Sequence, residues 1–143
     1  MQPDWEVNPE DVARVLPAVA ETIADALARE VGEVSLDSRL IEDLGAESID
    51  FLDIVFRLEQ QFAVQIPRGK IVEDARGELS EAEFEQDGRL TDAALVRLRA
   101  YLTEVPADRF RPRMRTAEIP WLFTVATFCK LVVRAERTRK GRE

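Results

Sequence analysis

Ser48 is the side chain in this sequence best placed for chemistry. It follows the turn-forming run Leu44-Gly45-Ala46-Glu47 and opens a stretch, Ser48 to Phe62, that repeats with helical spacing. A serine there has two roles open to it. Its hydroxyl can cap the helix by accepting from an orphan N–H of the first turn. It can also accept a transferred group. Position 51, where the Glu or Gln of a reciprocal capping box would stand, is Phe, so the reciprocal cap is missing in that frame. The free N–H groups and positive dipole end of a helix start also suit a phosphodiester.

The elements that must position Ser48 come next. At about 100° per residue, Phe51, Ile54, Val55, Leu58 and Phe62 form one broad apolar arc, an ordinary core face. Ile49, Leu52 and Phe56 form a second, narrower arc on roughly the opposite side, with Asp50, Asp53, Arg57 and Gln60 in or beside it. A helix of a small soluble protein buries one face. The second stripe, edged with carboxylates, is expected to be an exposed docking surface.

Composition narrows the function classes. The chain has 143 residues and a formal net charge of -8, which disfavours nucleic acid as the main partner. With no His and one Cys, metal sites of His and Cys, disulfide frameworks and Ser-His or Cys-His catalysis are set aside. No catalytic residue and no metal ligand is therefore assigned, and the chain is read as a non-enzyme. Cys129 lies in an apolar run and is expected to be buried. Trp121 to Val133 spans 13 residues with a lysine inside, too short to cross a bilayer. No secretory signal opens the chain, so a cytoplasmic protein is expected. Charge is uneven: the nets are -9 for residues 1–71, -6 for 72–108 and +7 for 109–143.

The expected architecture is all-α, in one domain over 1–143. Residues 1–8 form a flexible lead, against which Trp5 and Val7 could act as a staple. Asn8-Pro9-Glu10-Asp11 starts the first helix, which is expected to reach about Val31 and stop at Gly32, with a kink or break at Pro17. Val12, Val15, Leu16, Val19, Ile23, Ala26 and Leu27 should face inward. Leu36, Leu40 and Leu44 pin a loop, and Val64-Gln65-Ile66-Pro67 ends the Ser48 helix. Residues 68–115 are expected to be an insertion without a third helix directly after Pro67. It holds the stretch Ser80–Phe84, an acidic turn at Glu85-Gln86-Asp87-Gly88, one helix over Thr91–Leu102, and an extended linker with Arg109, Arg111, Arg113 and Arg115. Thr124 caps the last helix, and 136–143 is read as a frayed basic tail.

The joint occurrence of Leu44-Gly45-Ala46-Glu47-Ser48-Ile49-Asp50, the helix through Phe62 and Ile66-Pro67 resembles the acyl carrier protein family over about residues 9–71 and 120–135. It is most similar to the specialised bacterial carriers, including the very-long-chain carriers of lipid A assembly. The family's acid-serine-leucine trio stands here as Glu47-Ser48-Ile49. The resemblance implies a helical bundle with an added helix-containing insertion. It also implies a covalent 4'-phosphopantetheine on Ser48, delivered from coenzyme A by a phosphopantetheinyl transferase. Glu47, Asp50 and Asp53 would steer the basic surfaces of acyl-loading, condensing or acyltransferase enzymes, and Ile49, Leu52 and Phe56 would supply the apolar contact. Two other classes stand beside it: an unmodified helical adaptor or regulatory protein using the same face, and a hydrolytic enzyme, for which no nucleophile-base pair can be assembled from these residues; a homodimer through the insertion is also open.

Overall fold

Asn8 sets the start of the first helix in the computed structural model, which describes residues 7–67 and 69–142. Its side chain accepts from the Glu10 N–H at 2.8 Å, and helix α1 spans Pro9–Leu27. Val12, Val15, Val19 and Ile23 are buried, with Leu16, Ala26 and Leu27 packed at the edge of the core. The helix runs through Pro17 without a break. That proline is exposed, so the carbonyl it leaves without a partner can turn to water. The expected end near Val31 is corrected: Ala28 takes a left-handed φ of 55° and its neighbour Arg29 donates back to the Ala24 carbonyl. Gly32 sits instead in a short 3-10 turn, Val31–Glu33. Beyond Leu27 the residues are exposed, and the helix stops where its apolar face stops. Val7 packs against the core; the Trp5 half of the staple and most of the 1–8 lead lie outside the described residues.

Helix α2, Ser48–Phe62, has the expected bounds, with Phe51, Ile54 and Leu58 buried. A third helix follows almost at once. Helix α3, Lys70–Arg76, starts after Gly69 and ends at Gly77, with Ile71 and Ala75 buried. This overturns the expectation that no third helix follows Pro67. At seven residues α3 is too short to hold by propensity alone; it is held by packing on a later helix, α5, Asp92–Tyr101.

The long connection from Gly77 to Thr124 contains α4 (Glu81–Phe84), β1 (Glu85–Gln86), β2 (Arg89–Leu90) and α5 (Asp92–Tyr101). Ser80 and Glu83 form a reciprocal cap on α4, and Thr91 caps α5. The acidic turn is the loop of an antiparallel two-stranded ribbon, with Asp87 and Gly88 both at positive φ. It is a small addition to an otherwise helical fold. The arginine-rich stretch is corrected from an extended linker to a folded strap. Ala107–Arg109 and Thr116–Leu122 are 3-10 turns, and Arg113 has φ 59°. The apolar residues interleaved with the arginines decide this, because Phe110 and Met114 are buried.

Helix α6, Val125–Arg142, closes the fold against α1 and α2. The frayed tail is corrected too, since the helix continues through it to Arg142. Arg139 donates to the Phe62 and Ala63 carbonyls at 2.9 and 3.2 Å, satisfying the C-terminal end of α2. Phe51, Phe123 and Phe128 meet with centroids about 6 Å apart (5.8, 6.0 and 6.2 Å), joining α2 to α6 at the centre of one apolar cluster.

Candidate functional site

The loop before α2 is tied to the start of α6 by backbone hydrogen bonds. Val125 and Ala126, whose N–H groups have no partner inside their own helix, donate to the Ser38 and Leu36 carbonyls at 3.0 Å each. Leu40 donates to Phe123 at 3.1 Å, and Leu40 and Leu44 are buried. Gly45 then turns the chain with φ +75°, a conformation that strains any residue with a Cβ. Ala46 goes into the core, and Glu47 and Ser48 emerge on the surface. A loop tied to α6 and turned at Gly45 thus delivers the serine.

The capping frame lies one residue earlier than the serine. Glu47 is the N-cap and its N–H donates to Asp50 Oδ2 at 2.8 Å. Ser48 is the first helical residue, exposed, and its hydroxyl has no hydrogen-bond partner among the described residues. The first-turn N–H groups of Ser48 and Ile49 lack intrahelical acceptors, as in any α-helix.

Ile49, Leu52 and Phe56 are 71%, 49% and 58% exposed, so the second stripe lies outside the core. Glu47 and Asp53 are exposed on the same helix and Asp50 is half-buried; Asp53 pairs with Arg57 at 3.1 Å. Of the seven site residues expected from sequence, all on α2 and its cap, six are exposed and Asp50 is half-buried. Beside the stripe runs a groove of about 560 Å³, walled by Leu52 and Phe56, by Ile71 and Val72 of α3, and by Ala117 and Pro120 of the strap. A cleft of about 720 Å³ lies at the far end of α2, around Gln60, Ala63 and Arg139, and its lining is more polar. Its size does not make it the site, since it is remote from Ser48.

Residues 17–76, which contain Ser48 and all of α2 and α3, match the family model described as phosphopantetheine attachment site. The chain is 36% identical over 67 residues to "Acyl carrier protein AcpXL" of Rhizobium etli, covering 46% of this chain and 73% of that relative. The chain belongs to the acyl carrier protein family. A second AcpXL, from Mesorhizobium japonicum, is 40% identical over 52 residues, 36% of this chain, and the match spans only 56% of that relative. The "Acyl carrier protein" of Clostridium acetobutylicum is 36% identical over 53 residues, covering 37% of this chain and 69% of the relative. No solved structure matches. The group that an acyl carrier protein bears is 4'-phosphopantetheine, and the matched segment is its attachment domain.

The residues present fit that group: an exposed, unpartnered hydroxyl at a helix start, with an apolar groove beginning one turn along the same helix. Cys129 offers no competing thiol, because it is wholly buried and burial pushes its pKa up to about 12. No cluster of metal-binding side chains occurs among the described residues, and no helix among them is long and apolar enough to cross a membrane. Sequence reasoning missed the groove's third wall. Its only local signal is the apolar run Ile119-Pro120-Trp121-Leu122-Phe123 ahead of the Thr124 cap. It also missed the Arg109 guanidinium, which bonds the Glu42 carboxylate and the Trp121 carbonyl and so ties the strap to the loop before Ser48.

Proposed function

We propose that this chain is a specialised acyl carrier and that Ser48 is its single attachment point for 4'-phosphopantetheine. One observation carries the reading. Within the family-matched segment, Ser48 stands exposed with a free hydroxyl, because Glu47 and Asp50 have taken over the capping that would otherwise occupy it.

In the attachment step, Ser48 Oγ attacks the phosphorus of coenzyme A that bears the pantetheine. A serine–phosphate ester bond forms, the P–O bond to the nucleotide phosphate breaks, and adenosine 3',5'-bisphosphate leaves. The serine proton goes to a base of the transferase, consistent with a chain that has no His. When bound, the arm supplies a terminal thiol that holds an acyl chain as a thioester. The chain's own residues present it. Glu47, Asp50 and Asp53 attract a basic partner surface, and Ile49, Leu52 and Phe56 give the contact that excludes water. Partners are thus the transferase and acyl-loading, condensing or acyltransferase enzymes of fatty-acid or related lipid synthesis in the cytoplasm. The chain carries cargo and catalyses nothing itself. Residues 1–143 act as one domain, since the connection after α3 shares its apolar cluster with α1, α2 and α6.

The test is intact mass after incubation with coenzyme A and a permissive transferase. One phosphopantetheine should be added to the wild-type chain and none to Ser48→Ala. No addition with several transferases, or addition to the alanine variant, overturns the assignment and leaves the unmodified adaptor.

A further inference from the structure

We propose that the cleft between α3 and the C-terminal half of α6 binds a phosphomonoester dianion, held by Arg76 with Arg134 and Arg137 beside it. The cleft measures about 560 Å³, and neither Ser48 nor any residue of the exposed α2 stripe lines it. Arg134 and Arg137 lie beyond residues 17–76, and Arg76 is the last residue the family model matches.

Arg76 is the first argument. It is half-buried at the end of α3 and makes no ion pair among the described residues, and its Nε is buried without a hydrogen-bond partner. A guanidinium offers its donors as a planar fork that matches a phosphate or a carboxylate. The chain gives Arg76 no such group. A buried donor left unmatched is costly, and an oxyanion in the cleft brings the missing acceptor.

The second argument is charge. Four cationic side chains, Lys70, Arg76, Arg134 and Arg137, line the cleft against two carboxylates, Glu73 and Asp74. Asp74 is engaged, accepting from Lys70 at 3.1 Å and from the Tyr101 hydroxyl at 2.9 Å. Glu73 is exposed. Two positive charges are left over, which matches the charge of a phosphomonoester, in a chain whose net charge is -8. The third argument is that Arg134 is already set in place. It donates to the Tyr101 hydroxyl at 3.0 Å, and its guanidinium lies 4.4 Å from the centre of that ring. Burial holds its pKa below the ordinary arginine value, and the Arg137 charge pushes the same way. An anion in the cleft offsets both. The neighbouring cleft around Gln60 and Arg139 shares Lys70 and Arg134 with this one, which leaves room beside the phosphate for its organic group.

The experiment titrates the full chain by calorimetry with sodium phosphate and with adenosine 3',5'-bisphosphate, against sodium chloride at equal ionic strength. A third arm sediments the chain with phosphatidylcholine vesicles, with and without phosphatidic acid. The expected result is binding that Arg76→Gln weakens about tenfold, the usual loss with a hydrogen bond to a charged group. Arg76→Lys keeps the charge without the fork and should fall between. Arg137→Gln should also weaken binding. Arg113→Gln removes an exposed charge outside the cleft and should leave binding unchanged. Circular dichroism confirms that each variant is folded, and Arg137, which is exposed, decides if the Arg76 variants are not. Binding of the soluble phosphates that these variants weaken supports the site with a free phosphomonoester as its ligand. Binding of the phosphatidic acid vesicles alone, weakened in the same way, supports it with a lipid headgroup. No binding in any arm, or binding indifferent to Arg76 and Arg137, overturns the site. Attachment at Ser48 is read by mass and stands or falls independently.

Discussion

The Glu47 N–H donates to the Asp50 carboxylate at 2.8 Å, and this bond caps α2 one residue before Ser48. It assigns Asp50 two tasks, holding the helix start and presenting charge. The two can be separated. Asp50→Ala should cost about 1 kcal/mol of stability in a urea melt, the usual worth of a cap. Asp50→Asn can still accept the Glu47 N–H and should cost less, while weakening transfer to partners with basic surfaces. If both variants lose the same stability, the cap is not what Asp50 contributes.

Two phenylalanines on α2 should respond in opposite ways. Phe51 is 9% exposed and packs on Phe123 and Phe128, so Phe51→Ala should lose about 3–5 kcal/mol. Phe56→Ala should lose far less and instead impair acyl transfer. A large drop in the denaturation midpoint of the Phe56 variant would show that its ring is buried in solution.

Cys129 should be silent toward thiol reagents in the native chain. Burial raises its pKa from the model-peptide value of 9.0 to about 12. The folded state holds the proton more tightly than the unfolded chain. This contribution to stability is therefore complete below about pH 9 and is lost as pH rises toward about 12. A chromogenic thiol assay at pH 8 should find no reactive group in the unmodified protein and one after phosphopantetheine addition. Reaction before addition would contradict the burial of Cys129.

Gly45→Ala forces a Cβ into a left-handed backbone, at a cost of about 1–2 kcal/mol. The added atom would meet only the end of the Arg29 side chain at 3.3 Å, so strain rather than a clash sets the penalty. The turn that delivers Ser48 is then displaced, and phosphopantetheine addition should slow more than the stability loss explains. An unchanged rate would separate the turn from the site.

The connection after α3 is fastened to α6 by Glu104, which accepts from Lys130 at 2.8 Å and from the Thr127 hydroxyl at 2.6 Å. The side chains of Lys130 and Glu104 are 13% and 8% exposed. Lys130→Met alone leaves a buried carboxylate and should cost about 3–5 kcal/mol. Pairing it with Glu104→Leu should recover most of that. The full chain should melt in one transition, and residues 68–115 expressed alone should show no cooperative unfolding by circular dichroism. A sharp transition in the fragment would make it a second domain.

The sequence by itself determined the features whose cause is local. The bounds of α2, the exposure of Ile49, Leu52 and Phe56, the caps at Asn8 and Thr91, and the emergence of Ser48 after Gly45 all follow from side chains within a turn or two of the backbone they act on. Tertiary structure decided the rest. A seven-residue helix such as α3 is below the length that stands alone, so Ile71 and Ala75 become helical because α5 covers them. The strap looked extended because its arginines alternate, yet the burial of Phe110 and Met114 and the ties from Arg109 to Glu42 and from Arg111 to Glu118 fold it down. The tail reads as frayed from its charge, and Arg139 holds it by bonding the Phe62 and Ala63 carbonyls, 77 and 76 residues away in sequence. The shape of the groove depends on that same order of separation. Periodicity records which face of a helix is apolar, whereas only the packed chain shows what that face meets.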